Sequence, residues 1–369
     1  MACLNGRNSA IIILMLRRKL SAVCAVILTL GCLTARGQSG RWRHPTPRSN
    51  DGQNQQPSDV ISLEATEVVV PVTVRNRYGR PIPGLTKDDF ILYEDGVRQE
   101  ITGFDTESVP AAIVMLIDVS GSVRTEINNI RLSALTLIDQ LRPQDRACII
   151  QFNDRVRVIQ DWTSDKLRLQ RALMTLPATG ATAFYNALYT AAEKLSQVKG
   201  RRTIIAFTDG VDTYRGQVPQ TRGRREKPMP PKSPAEAFEA VRRAEASVYV
   251  ISKTRAIRDY LTGRRAPSFL RPIDPRDPYI QYYLQALDRA EQWLAMLAER
   301  TGGEIYFPRN QLELKDVYND IAEELNTQYV LRYVPKNTNF DGRFRRIRVV
   351  TGNPAYIARA REGYYAVKR

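Results

Sequence analysis

The chain has 369 residues, 43% of them hydrophobic and 25% charged. Those proportions sit near globular averages and exclude wholesale disorder, and the length suits two domains, or one large and one small. A formal net charge of +16 and a single histidine bear on nucleic-acid binding and on histidine-based catalysis.

The chain opens on a leader. In MLRRKLSAVCAVILTLGCLTARGQ a basic start (Arg17, Arg18, Lys19) precedes an apolar run from Leu20 to Ala35, the pattern of a secretory signal. Ala35 and Gly37 stand at the minus-three and minus-one positions for cleavage before Gln38, so residues 1–37 read as a signal peptide. Met15 by itself would open a well-formed signal. As an uncleaved anchor the run falls short of the roughly 20 residues that span a bilayer comfortably, and Cys32 lacks the upstream leucine of a lipoprotein signal. The mature protein is therefore expected to be secreted or periplasmic. Cleavage removes Arg7, Arg17, Arg18, Lys19 and Arg36 and leaves a net charge of +11. It also removes Cys3, Cys24 and Cys32, so Cys148 has no partner for an internal disulfide. Lying in the apolar run RACIIQF, Cys148 reads as a buried thiol and not as a nucleophile.

Residues 38–58 form a polar stretch, RWRHPTPRSNDGQNQQPSD within it, that reads as a disordered linker and contains His44, the sole histidine. The folded part then lacks imidazole altogether. That removes Ser/His and Cys/His catalysis and the usual zinc sites. With no zinc finger and no aromatic-interleaved RNA motif, an exported chain has no nucleic-acid reading. Its charge is taken as solubility plus attraction to an anionic envelope surface.

Residues 59–108, containing EVVVPVTVRNRYGRPIPGLTKDDFILYEDGVRQEITGFDT, alternate β-rich runs with the turn dipeptides Tyr78-Gly79, Pro83-Gly84 and Asp95-Gly96. Residues 327–369 have the same texture, with strand-like YVLRYV, RRIRVV and YIARA. Neither half holds enough strands for independent stability, so the two flanks are expected to join in one small β-sandwich.

From 110 to 326 the texture changes. The strand-like runs AAIVMLID, RACIIQF, RVRVIQDW, RTIIAFTD, SVYVIS and EIYF alternate with helical patterns near 124–141, 165–175, 184–198, 234–246, 280–300 and 311–326. Apolar strands alternating with helices predict an α/β fold built on a doubly wound, mostly parallel sheet, in which ligands collect at the carboxyl ends of the strands. Two Pro-rich basic insertions, 214–233 and 255–278, read as loops.

The chemistry sits at those strand ends. Asp118 closes the first core strand, and the loop DVSGS adds the hydroxyls of Ser120 and Ser122. A hard dication such as Mg²⁺ takes oxygen donors in octahedral array, with few carboxylates and several waters. Thr182 opens the helix in ATGATAFYNAL, and Asp209 ends the apolar strand in IIAFTDGVD. Taken singly, Thr182 has the alternative of a helix N-cap and Asp209 that of a turn residue before Gly210.

In this order and spacing the chain resembles the von Willebrand factor type A domain over about residues 110–326. That resemblance implies a Rossmann-like domain with a metal-ion-dependent adhesion site, and carries over Asp118, Ser120, Ser122, Thr182 and Asp209 as metal ligands. The second loop reads Gly180-Ala181-Thr182 where Gly-Gly-Thr is common. With the flanks included, the chain is similar to the VWFA-related acidobacterial-type proteins, exported bacterial proteins. The implied cofactor is Mg²⁺, with Mn²⁺ as its substitute, and the implied partner is a protein that completes the octahedron with an Asp or Glu carboxylate. No base or nucleophile stands nearby in sequence, so the site is expected to bind and not to cleave. Two other readings stay open: a metal-assisted hydrolase using Asp118 or Asp209 as base, revealed by Mg²⁺-dependent turnover, and a basic binder of anionic envelope polymer, which would persist in chelator and weaken steeply with salt.

Overall fold

The computed structural model describes residues 67–106, 109–121, 127–176, 180–216, 229–262, 274 and 276–367. The leader, the linker, residues 59–66, Ser122 and the middle of both insertions lie outside the described residues. Among the described residues no helix is long and apolar enough to cross a membrane.

The N-terminal flank supplies four strands: β1 (Val68–Asn76), β2 (Phe90–Glu94), β3 (Val97–Gln99) and β4 (Gly103–Asp105). Val68, Val70, Val72 and Val74 are buried while Val69, Pro71 and Arg75 are more open, close to the period of two expected of a half-buried strand. Asp95 and Gly96, both at positive φ, turn β2 into β3, as a tight hairpin requires.

The central domain follows as β5 (Ala111–Asp118), α1 (Ile127–Gln140), β6 (Arg146–Phe152), β7 (Val156–Thr163), α2 (Lys166–Met174), α3 (Phe184–Ser196), β8 (Arg201–Thr208), α4 (Pro234–Ala244), β9 (Ser247–Ser252), α5 (Thr254–Leu261), α6 (Pro278–Arg300), β10 (Ile305–Tyr306) and α7 (Gln311–Asn326). Its six strands run in the order β10-β9-β8-β5-β6-β7. All neighbours are parallel except β6 and β7. The fold is thus α/β with a doubly wound, mostly parallel sheet, as the alternation of elements predicted.

β5 is buried along its whole length because both faces are covered. Ile113, Met115 and Ile117 pack into one core with α1, α2 and α7, and Ala112, Val114 and Leu116 into the other with α3, α4 and α6. The chain winds outward from β5 to β6 on one side and from β8 to β9 on the other. The carboxyl ends of β5 and β8 therefore flank the topological switch point, where such sheets form a crevice.

The C-terminal flank adds β11 (Tyr329–Tyr333), β12 (Phe344–Thr351), β13 (Tyr356–Arg359) and β14 (Gly363–Tyr365). Strands from both flanks join in two four-stranded sheets, alternating in β13-β1-β11-β4 and meeting at the β12–β2 pair in β14-β12-β2-β3. One core lies between them, with Val70, Leu92, Leu331 and Val349 among its members. Buried in it are Glu94 and Arg345, 3.1 Å apart, with the hydroxyls of Tyr333 and Tyr364 donating to Glu94 at 2.7 and 2.9 Å. Three donors, the Arg345 guanidinium and the two phenols, satisfy the carboxylate oxygens in this interior.

The sandwich and the central domain meet through a second charged cluster. Arg75 on β1 and Arg359 on β13 face Glu304, which precedes β10, and Glu324 on α7. Arg359 Nη2 lies 2.8 and 2.9 Å from the two Glu324 oxygens, and the Tyr249 hydroxyl donates to Glu324 at 2.8 Å. Glu324 is fully buried.

The loop reading of 255–278 needs correction, since α5 occupies its start and Pro278 opens α6. The sequence TRAIRDYL belongs to a basic stretch, and one of its arginines docks it as a helix: Arg258 Nη2 reaches Asp288 at 2.5 Å and Arg258 Nη1 reaches Glu291 at 3.3 Å, both on α6. The Thr254 hydroxyl donates to Glu291 at 3.0 Å.

Candidate metal centre

Three loops at the carboxyl end of the central sheet carry the candidate ligands. Asp118 is the last residue of β5 and is completely buried. Its Oδ1 accepts the Ser120 N–H at 2.9 Å, which folds the loop back over the strand end. Its Oδ2 accepts the Thr208 hydroxyl at 3.2 Å, and that same hydroxyl accepts the Gly210 N–H at 3.0 Å. One threonine therefore fixes the first loop against the third.

The second loop is tied to both. Gly121 N–H donates to the Gly180 carbonyl at 3.0 Å, while Thr182 N–H donates to the Thr213 hydroxyl at 2.9 Å. In return the Thr182 carbonyl accepts from the amides of Thr213 and Tyr214, each at 3.0 Å. Gly180 is required here on two counts: its φ is +95°, and an added Cβ would come within 2.8 Å of Asp154 Oδ1. Gly210, at φ +70°, is equally confined, with Leu294 of α6 only 2.5 Å from where a Cβ would stand.

Ser120, Thr182 and Asp209 are all buried; Ser122 lies outside the described residues. Thr182 is not a helix cap. The N-cap of α3 is Ala183, whose side chain makes no capping bond, and the first-turn amide of Tyr185 is taken up at 3.0 Å by Asp212 from the third loop. Asp209 does serve its own turn, its Oδ1 accepting the Val211 N–H at 3.0 Å, which leaves its role as turn residue compatible with that of ligand.

The electrostatics of the cluster are unfavourable as it stands. Burial, and next the charge of Asp209, push the Asp118 carboxyl up to about 7 against the hydrogen bonds of Ser120 and Thr208. A cation beside a carboxylate buried in this way would favour its charged form. The surrounding donors are carboxylate and hydroxyl oxygens, with no nitrogen or sulfur, a set that fits a hard dication such as Mg²⁺ or Mn²⁺ and not zinc. Among the described residues no group of three or more His, Cys, Asp or Glu is placed to hold a metal, so any ion here would rest on hydroxyls and water as much as on carboxylates. Cys148, buried on β6 with its thiol pushed up to about 12 by burial and by Asp161, offers neither ligand nor nucleophile.

Three residues of this region escape a reading of the sequence. Thr208 could have been flagged as the polar end of the apolar strand IIAFT. Asp212 caps a helix remote in sequence. Tyr283 on α6 has its phenol pushed up by burial and by the charges of Asp209, Tyr279 and Asp118, which places it beside the crevice; nothing in the helix pattern says which end of the sheet α6 overhangs.

Residues 113–211 match the family model of the von Willebrand factor type A domain, a span that begins inside β5 and ends just past Asp209. Similar solved structures include a von Willebrand factor type A protein from Catenulispora acidiphila, 12% identical over 82% of this chain and 75% of that one, with a TM-score of 0.41. The PilB minor pilin from Streptococcus sanguinis is 14% identical over 62% of this chain and 63% of its own, with a TM-score of 0.40. The vWF domain of the type V pili tip protein Mfa5 from Porphyromonas gingivalis is 13% identical over 59% of this chain and 95% of its own, also with a TM-score of 0.40.

Proposed function

We propose that this chain, which carries a von Willebrand factor type A domain, is a metal-dependent protein-binding module of adhesion type. Asp118, Ser120, Ser122, Thr182 and Asp209 would hold Mg²⁺, or Mn²⁺ in its place, and a partner's Asp or Glu carboxylate would complete the coordination. When bound, the ion supplies a positive centre with an open position for a hard oxygen donor. The chain's own residues do the rest. The hydrogen bonds among the three loops hold the donors in place before any partner arrives.

The observation that carries this reading is the gathering of the buried Asp118, Ser120, Thr182 and Asp209 on three loops that are hydrogen-bonded to one another at the switch point of the sheet. Binding is favoured over hydrolysis because the groups around the two carboxylates are hydroxyls, backbone amides and the Tyr283 phenol. None of these is a general base near neutral pH, which leaves that role to Asp118 and Asp209, the two groups the ion would occupy. Export to the periplasm or beyond rests on the leader of residues 1–37.

The reading is tested by capture from an envelope extract. Wild type should retain a protein in Mg²⁺, release it in chelator and retain it again when Mg²⁺ is restored, while Asp118→Ala should retain nothing under any of these conditions. Capture that ignores the chelator would refute the proposal, as would Mg²⁺-dependent turnover of phosphoester or peptide substrates.

A further inference from the structure

A cavity of about 620 Å³ opens between the outer face of the β13-β1-β11-β4 sheet and the amino end of β8, at the opposite end of the central sheet from Asp118. Val69, Pro71 and Val109 give it an apolar wall, while Lys199, Arg202, Arg243, Arg332 and Arg361 face it with the single carboxylate of Glu245. A volume of this size is typical of small-molecule sites.

Some of these cations have structural partners. Arg332 is held by Asp105 at 2.5 Å, and Arg243 by Glu239 at 2.9 Å. Arg361 Nη2 lies 2.9 Å from Glu245. Lys199 and Arg202 have no carboxylate partner among the described residues. Arg202 spends Nε and Nη1 on the carbonyls of Val198 and Ala244, at 2.9 and 3.0 Å, near the carboxyl ends of α3 and α4. That capping role accounts for two of its nitrogens. It does not account for Lys199, nor for the second guanidinium, Arg361, beyond its one contact with Glu245.

Arg361 is 6% exposed, and its Nε has no hydrogen-bond partner among the described residues. Arg202 is made less basic first by burial and then by the charge of Arg361, so the two guanidiniums press on each other in a partly dry space. An anion between them would relieve that repulsion, which in the absence of a ligand lowers stability.

We propose that this junction cavity is a binding site for a phosphate group, gripped by Lys199, Arg202 and Arg361, with the organic part of the phosphate ester lying against Val69, Pro71 and Val109. Phosphate is favoured over carboxylate by the directions of approach. The three cations come from the α3–β8 turn, from β8 and from the segment after β13, and so surround a volume, as a tetrahedral oxyanion needs. A planar carboxylate is satisfied by a single guanidinium fork. The site is separate from the metal centre, so both can be filled at once.

The test uses the full chain in metal-free buffer, with pyrophosphate, citrate and phosphatidylglycerol vesicles as probes. Calorimetry should show one pyrophosphate bound per chain. Lys199→Glu, at an exposed position that leaves the core untouched, and Arg202→Gln should each weaken it by about tenfold, the equivalent of one charge-assisted hydrogen bond. Arg168→Glu on the exposed face of α2 should leave it unchanged. Vesicle co-sedimentation that is lost in Lys199→Glu assigns the phosphate to a lipid headgroup, whereas pyrophosphate binding without vesicle binding assigns it to a free ester. The proposal is overturned if pyrophosphate does not bind, if Lys199→Glu binds it as wild type does, or if citrate binds as tightly.

Discussion

Two buried acids of the central domain, Glu324 and Asp118, are treated in opposite ways. At the junction with the sandwich, Glu324 is enclosed by Arg75, Arg359 and the Tyr249 hydroxyl, so its charge is matched on every side. At the carboxyl ends of β5 and β8, Asp118 is buried near Asp209, and burial together with the Asp209 charge raises the proton affinity of Asp118. Matched buried charge fixes how elements meet. Like charges buried together weaken the metal-free protein and gain a use only when a cation joins them.

The contrast can be broken from the junction side first. Glu324→Ala would leave Glu304 to neutralise both Arg75 and Arg359 and strand the Tyr249 hydroxyl, and should cost about 3 kcal/mol, read as a fall in the urea midpoint. A loss under 1 kcal/mol would mean the cluster is solvated and the matching of charge unimportant.

The next largest effect has the opposite sign. Asp118→Asn keeps an oxygen for the Ser120 amide and removes the repulsion with Asp209, so metal-free protein should gain about 2 kcal/mol at pH 8. In wild type the folded-state value of about 7 lies above the ordinary 3.8. The folded state therefore holds more protons in that window, and metal-free stability falls as pH rises through it. The gain from Asp118→Asn should accordingly shrink below pH 7. Melts across the pH range check this, and a destabilised variant at pH 8 would remove the idea of a strained, cation-demanding pair.

Asp145 sharpens the comparison at smaller scale. Burial would raise its carboxyl, but the hydrogen bonds of Arg142 and of the Ala111 amide, with the Arg142 charge, hold it below its ordinary range. Its contribution is present above the ordinary carboxylate value and is lost as pH falls through the folded one. Asp145→Asn should cost about 1 kcal/mol at neutral pH and flatten the acid limb of the stability curve; an unchanged acid limb would assign that limb to other carboxylates.

How much of this was legible from residues alone depends on the range of the interaction. The runs ending at Asp118 and Thr208 announce buried parallel strands because both faces of those strands are covered, and their position marks the loops that follow as candidates for ligand chemistry. The hydrogen bonds that join the loops, from Thr208 to Asp118 and from Gly121 to Gly180, connect residues far apart in the chain and leave no local pattern. Helix α5 was hidden for a related reason: its arginines resemble those of a solvated loop until α6 brings Asp288 and Glu291 opposite them. β14 is only three residues long, too short to show any alternation.

The most direct test of the central claim is a calorimetric titration of the metal-free protein with Mg²⁺, run on wild type and on Asp118→Ala with a thermal melt of each. The account predicts saturable binding of one ion by wild type, no binding by Asp118→Ala, and a cooperative melt in both. Undiminished Mg²⁺ binding by a folded Asp118→Ala would contradict it.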